Sequence, residues 1–170
     1  MRYTHFGEGD YATTESQIRT LLGRDLGPAA GRQAGEIPGE ATPETYLGAA
    51  RAERWDPPPQ PGVHEYPGVS RLDRDHFALG GRWKVSDEAA EAVSNATLRA
   101  SVRGKSVYLV LGSRGGAPRT VQVRLDGERT KTITVRRQRL YTLVSLPKPG
   151  DHELELRFDP GVAGYAFTFG

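Results

Sequence analysis

The chain has 170 residues, with a hydrophobic share of 36% and a charged share of 26%, so it can pack a core and is not disordered throughout. It contains no cysteine, which excludes a disulfide scaffold, thiolate metal centres, a thiol nucleophile and a CxxC redox pair. The net charge of +2 divides into 6 basic and 9 acidic residues over 1–62 and 17 basic and 12 acidic over 63–170; the C-terminal excess is interleaved with acids, unlike the dense basic stripe of a nucleic-acid binder.

Residues 1–24 read as a strand and a short helix. Arg2-Tyr3-Thr4-His5-Phe6 alternates and ends at the turn Gly7-Glu8-Gly9-Asp10. Thr14 is placed to cap a helix, with Gln17 reaching back to it, and Ile18, Leu21 and Leu22 form one apolar stripe before Gly23 stops the helix. One strand and one short helix cannot close over each other's apolar faces. This segment therefore calls for a partner, such as the sandwich or a second copy pairing through the strand edge.

Residues 25–62 read as a linker, rich in Gly27-Pro28, Gly31, Gly35 and Pro38-Gly39. Within it the pattern predicts a short helix over about 43–55: Thr42 as cap, Pro43 at the first helical position, and Tyr46, Leu47 and Ala50 on one face. Asp56-Pro57-Pro58-Pro59-Gln60-Pro61-Gly62 then forms a stiff, extended spacer.

From 63 to 170 the period changes to two. Strands are predicted around Trp83 (79–85), at Thr97–Val102, at Val107–Leu111, at Val121–Leu125, and at Ile133 and Val135. Three more follow at Leu140–Leu146, at Leu154–Phe158, and at Tyr165, Phe167 and Phe169, read as one aromatic face. Asp126-Gly127 signals a hairpin, and Lys148-Pro149-Gly150-Asp151 and Asp159-Pro160-Gly161 signal turns. Eight short strands at this spacing predict a mainly β protein: an antiparallel two-sheet jelly-roll β-sandwich over 63–170. No apolar run approaches the ~18 residues of a membrane span, and the first residues lack a charged-then-apolar secretory pattern.

Some of these runs also carry a family likeness. Arg2 to Tyr11, with Thr14-Glu15 and Ile18 to Leu22, resembles the last strand and helix of a thioredoxin-like domain, more narrowly the redoxin domain of DipZ-type proteins, a bacterial thiol-oxidoreductase group linked to cytochrome c biogenesis. Thr42-Pro43-Glu44-Thr45-Tyr46-Leu47-Gly48 resembles the segment joining that domain to its C-terminal module. Leu79-Gly80-Gly81-Arg82-Trp83, Leu140-Tyr141-Thr142-Leu143 and Tyr165-Ala166-Phe167-Thr168-Phe169-Gly170 are similar to the module itself, a β-sandwich resembling carbohydrate-binding modules. The resemblance implies an extracytoplasmic setting and a relative, or fragment, of a longer protein. The family's CxxC pair would lie upstream of Met1, so no redox role carries over to any residue of this chain.

Catalytic motifs are absent. His5, His64, His76 and His152 have no metal-ligand spacing, and Glu65, Asp73 and Asp75 form only a loose acidic group without EF-hand spacing. Gly68-Val69-Ser70-Arg71-Leu72 lacks the closing glycine of a nucleophile elbow. Gly112-Ser113-Arg114-Gly115-Gly116 is glycine-rich and basic, but it lacks the ending of a P-loop and reads as a hairpin loop. No cofactor is expected. Sugar binding is the sharper reading, since sugars stack on aromatic faces and bond to planar polar groups. Trp55 and Tyr141 are the candidate platforms, with Gln122, Arg124 and Arg157 as polar partners; Trp83 reads as core instead. Trp55 is read as the most exposed of the three rings, though it could equally clamp the linker onto the sandwich. The reading is of a non-catalytic module that holds a glycan or a protein ligand. The alternative is a structural domain that packs on a redoxin domain without a small-molecule ligand.

Overall fold

The computed structural model describes residues 41–170; the strand–helix unit expected at 1–24 and the first part, 25–40, of the linker expected at 25–62 lie outside the described residues. The elements are β1 (Thr45–Tyr46), β2 (Gly62–Pro67), β3 (Phe77–Val85), β4 (Ala90–Ser113), β5 (Arg119–Leu125), β6 (Glu128–Val135), β7 (Arg139–Phe158) and β8 (Val162–Phe169). Every pairing between them is antiparallel.

The helix expected over 43–55 is absent. Thr45 and Tyr46 instead pair with Phe167 and Ala166. The Thr45 hydroxyl donates to the Glu53 carbonyl at 3.1 Å, and the Trp55 indole N–H donates to the Tyr46 carbonyl at 3.0 Å. These bonds fold the segment back on itself, and Leu47 is completely buried. Tertiary burial outweighs the local capping signal.

Two predicted boundaries also fail. Residues 97–102 and 107–111 belong to one strand of 24 residues, and 140–146 and 154–158 to one of 20. The turn expected at Lys148–Asp151 lies inside β7, where Gly150 pairs with Gly104 of β4. The two long strands form a ribbon that takes part in both layers of the sandwich. The first half of β4 pairs with β3 and with residues 150–157 of β7, and its first two residues, Ala90 and Glu91, also meet β8; its second half pairs with residues 139–145 of β7 and with β8. The register shifts between Gly104 and Ser106, which reverses which side chains point inward. Ala96, Leu98, Ala100 and Val102 are buried before the shift, and Val107, Leu109 and Leu111 after it.

One core lies between the layers. It contains Trp83, Phe77, Phe167, Leu79, Leu98, Leu143, Leu154 and Leu156. Trp83 is fully buried, meets Phe158 edge-on at 5.0 Å between centroids, and donates from its indole to the Gly80 carbonyl. The Asp126-Gly127 hairpin forms as expected, with both residues at positive φ of 51° and 82°. Asp159-Pro160-Gly161 is the turn between β7 and β8. Gly112–Gly116 does connect two strands, but β4 and β5 are not neighbours, so it is a crossover rather than a hairpin.

Candidate functional site

Among the expected site residues, Gln122, Arg124 and Arg157 come together on the outward side of β5 and β7. Gln122 is the cross-strand partner of Arg157, and Arg124 of Glu155. Arg157 Nε donates to Glu155 at 2.8 Å, and Arg124 donates to the Gly127 carbonyl at 2.6 Å. The two aromatic platforms are not among them. Trp55, expected to be the most exposed ring, is only 3% exposed: it packs on Phe77 at 5.4 Å and its indole N–H is already bonded. It clamps the segment before β2 onto the core. Tyr141 is 7% exposed, and its hydroxyl donates to the Arg137 carbonyl at 3.0 Å.

A better-formed concavity lies at the end of the sandwich where β4 gives way to the 3₁₀ turn Arg114–Gly116. Two adjoining hollows of about 180 and about 270 Å³ share Glu91, Arg114 and Gly161. The first is completed by Gly112, Ser113, Gln138, Ala163 and Tyr165. The second is completed by Ala92, Val93, Arg119 and Pro160.

The local fold positions each of these groups. Tyr165 points outward because β8 carries an extra residue here: Leu109 pairs with Phe167 but Leu111 pairs with Gly164. The expected single aromatic face of Tyr165, Phe167 and Phe169 is therefore broken, with only Phe167 fully buried. Tyr165 and Gln138 both lie beside Gly112, where a Cβ would be in ordinary van der Waals contact with Tyr165 Cε2 at 3.4 Å and Gln138 Cβ at 3.5 Å. The Arg114 guanidinium pairs with Glu91 at 2.5 Å. The Arg114 N–H donates to the Gly161 carbonyl, which ties the crossover to the β7–β8 turn. Arg119 donates to Ser113 Oγ and to the Arg114 carbonyl, both at 2.7 Å. Among the described residues the Gln138 amide and the Tyr165 hydroxyl have no hydrogen-bond partner.

The groove offers a carboxylate, two guanidinium groups, an amide and a phenol, a set suited to hydroxyl groups. Ser113 Oγ donates to the Ala117 carbonyl and accepts from Arg119, with no base beside it. The His–Asp pairs are elsewhere: His76 Nδ1 lies 2.6 Å from Asp56 and His152 Nδ1 2.7 Å from Asp126, and no hydroxyl joins either ring. Asp126 has its pKa lowered: desolvation opposes this, but the His152 hydrogen bond, the Glu153 N–H and the His152 charge outweigh it. Among the described residues no group of three or more His, Asp or Glu could hold a metal ion. Asp75 accepts from the Thr42 hydroxyl and lies beside Arg74.

Sequence reasoning missed Tyr165, Gln138 and Glu91. The glycine-rich run around Arg114 was the one available signal.

Residues 42–170 match the family model described as "Thioredoxin like C-terminal domain". The chain is 29% identical over 182 aligned positions to Protein DipZ of Mycobacterium bovis, an alignment covering 100% of this chain and 25% of that protein. The chain thus spans about a quarter of the length of the curated relative it matches. A family two carbohydrate esterase from Cellvibrio japonicus superposes with a TM-score of 0.50 at 16% identity over 75% of this chain and 33% of the esterase, a likeness of fold. CsCBM6-3 from Clostridium stercorarium, solved in complex with cellobiose, gives a TM-score of 0.36 at 19% identity over 64% of this chain and 79% of that one.

Proposed function

The chain belongs to the family of thioredoxin-like C-terminal domains, and from that premise we propose that it is a non-catalytic module that binds a glycan through the groove between Tyr165, Gln138, Glu91 and Arg114. In a longer relative it would serve a thioredoxin-like thiol oxidoreductase by holding that domain near its targets. The observation that carries the reading is the groove itself: the Tyr165 ring of β8 and Glu91 of β4, with Gln138 from the β6–β7 turn and Arg114, paired to Glu91, from the 3₁₀ turn. Such a set satisfies sugar hydroxyls while the ring covers a C–H face. The absence of cysteine and of an activated nucleophile supports a holding role. An extracytoplasmic setting belongs to the same proposal, and no helix among the described residues is long and apolar enough to cross a membrane.

A glycan array probed with the whole chain tests the reading. Retention on at least one glycan, lost in Tyr165→Ala and weakened in Gln138→Ala, supports it. No retention on any glycan would overturn it and favour the alternative, a surface that packs on a redoxin domain.

A further inference from the structure

We infer that the groove extends into a second subsite, formed by Arg136, Arg137 and Arg139 around Tyr141, that takes a carboxylate, so that the ligand is an acidic glycan. This rests on the glycan-binding reading and narrows it. The three arginines follow β6 and open β7, and with Thr134 and Tyr141 they line an open hollow of about 470 Å³ that contains no acidic side chain.

The hollow is built, not incidental. The Tyr141 hydroxyl holds the backbone on both sides, donating to the Arg137 carbonyl at 3.0 Å and accepting from the Arg136 N–H at 3.4 Å. The buried Tyr141 ring carries the Arg139 guanidinium, whose central carbon lies 4.6 Å from the ring centroid. One side chain thus fixes the turn and one of its cations before any ligand arrives, which lowers the ordering cost of binding.

The charge is left open. Arg99, Arg103, Arg114 and Arg157 each lie within 3.2 Å of a Glu or Asp oxygen. Among the described residues the guanidinium groups of Arg136, Arg137 and Arg139 have no carboxylate partner. Three like charges around one hollow repel one another, and the arrangement lacks the interspersed signs that solubility alone would favour. A bound anion removes that repulsion. The guanidinium fork matches a planar carboxylate with two parallel N–H···O bonds.

Gln138 stands between the two subsites along the chain: its own side chain lines the Tyr165 groove, while its neighbours Arg137 and Arg139 line the hollow. The proposed ligand spans this turn.

The test is affinity electrophoresis of the whole chain through gels containing polygalacturonate, alginate or hyaluronan, each beside its carboxyl-reduced counterpart, with a polyphosphate gel in parallel. The expected result is retardation by at least one acidic polymer that is about tenfold stronger than by its reduced form and weakens with salt. Arg137→Gln and Arg139→Gln should each lower it severalfold. Arg71→Gln, which removes an exposed charge outside both hollows, should leave it unchanged. Equal retardation by acidic and reduced polymers overturns the carboxylate subsite while the glycan reading stands. No retardation by any polymer overturns both. Polyphosphate retardation at least as strong as that of every acidic glycan makes the ligand a phosphate and overturns the carboxylate assignment. An Arg71→Gln loss equal to that of Arg137→Gln reduces the effect to overall charge and also overturns it.

Discussion

Phe77 of β3 lies against Phe167 of β8, with centroids 5.6 Å apart and rings tilted by 33°, although the two strands exchange no hydrogen bonds. The contact crosses between the layers and joins Trp55 on one side to Phe169 on the other. Phe77 and Phe167 are fully buried, whereas Phe169 is only partly so. Phe77→Ala should lower stability by about 3–5 kcal/mol, through lost transfer energy and the cavity left behind. Phe169→Ala should cost clearly less. Urea unfolding of the two variants checks this, and equal costs would contradict the placement of the core.

Trp55 is a clamp, not a sugar platform. Trp55→Phe keeps an apolar ring on Phe77 but leaves the Tyr46 carbonyl without the indole donor. The expected loss is about 1–3 kcal/mol, from the unmatched acceptor and the smaller ring. Glycan retention should not change. A variant of native stability with lost retention would restore Trp55 to the binding surface.

Gly81 sits at the irregularity between β3 and β4 with φ of 75°, and a Cβ there would fall 2.1 Å from the Asn95 carbonyl oxygen. Gly115 has a similar φ of 65° but nothing within 4 Å. Gly115→Ala should cost about 1 kcal/mol, for backbone strain alone. Gly81→Ala should cost well above that, because the strand must also move. Thermal unfolding of the pair separates the two terms; matching melting temperatures would show that the bulge yields freely.

Asp126 supplies a pH signature. Its folded pKa is lowered, so its contribution to stability is fully present above the unfolded value, near the ordinary 3.8, and is lost as pH falls through the folded value. The carboxylate is about half exposed, which keeps the effect below about 1 kcal/mol. Asp126→Asn should therefore be less stable than the native chain near pH 5, and the gap should narrow progressively as pH falls below about 4. Paired denaturation curves across that range test it. A gap that widens with acid would reverse the sign of the shift.

The antiparallel sandwich was legible because period-two alternation and turn residues act locally. Asp126-Gly127 and Asp159-Pro160-Gly161 needed nothing beyond their own backbone preferences. What stayed hidden depends on distant pairing. Pro147 and Pro149 suggest an end to a strand, and the ladder with β4 does lapse over 146–149; β7 nonetheless carries on because it pairs with β4 on both sides of that stretch. The segment before β2 carries good helix-capping residues, but burial of Leu47 and Trp55 holds it extended and looped. The outward turn of Tyr165 follows from one extra residue in β8, and a register shift leaves no mark in composition. Alternation alone put Gln122, Arg124 and Arg157 on the wet sides of their strands; that they share one outer face follows from the pairing of β5 with β7. Their separation from Tyr141 and Trp55 could not be seen without knowing which strands cross between layers.

The most direct measurement is an amide chemical-shift map of the whole chain, recorded by nuclear magnetic resonance as a retained glycan is added. The largest changes should fall on Ser113, Arg114, Gln138, Ala163 and Tyr165, and should extend to Arg136, Arg137 and Arg139 when the glycan carries carboxylates. Changes confined to the outer face of β5 and β7, around Gln122 and Arg157, would contradict the account.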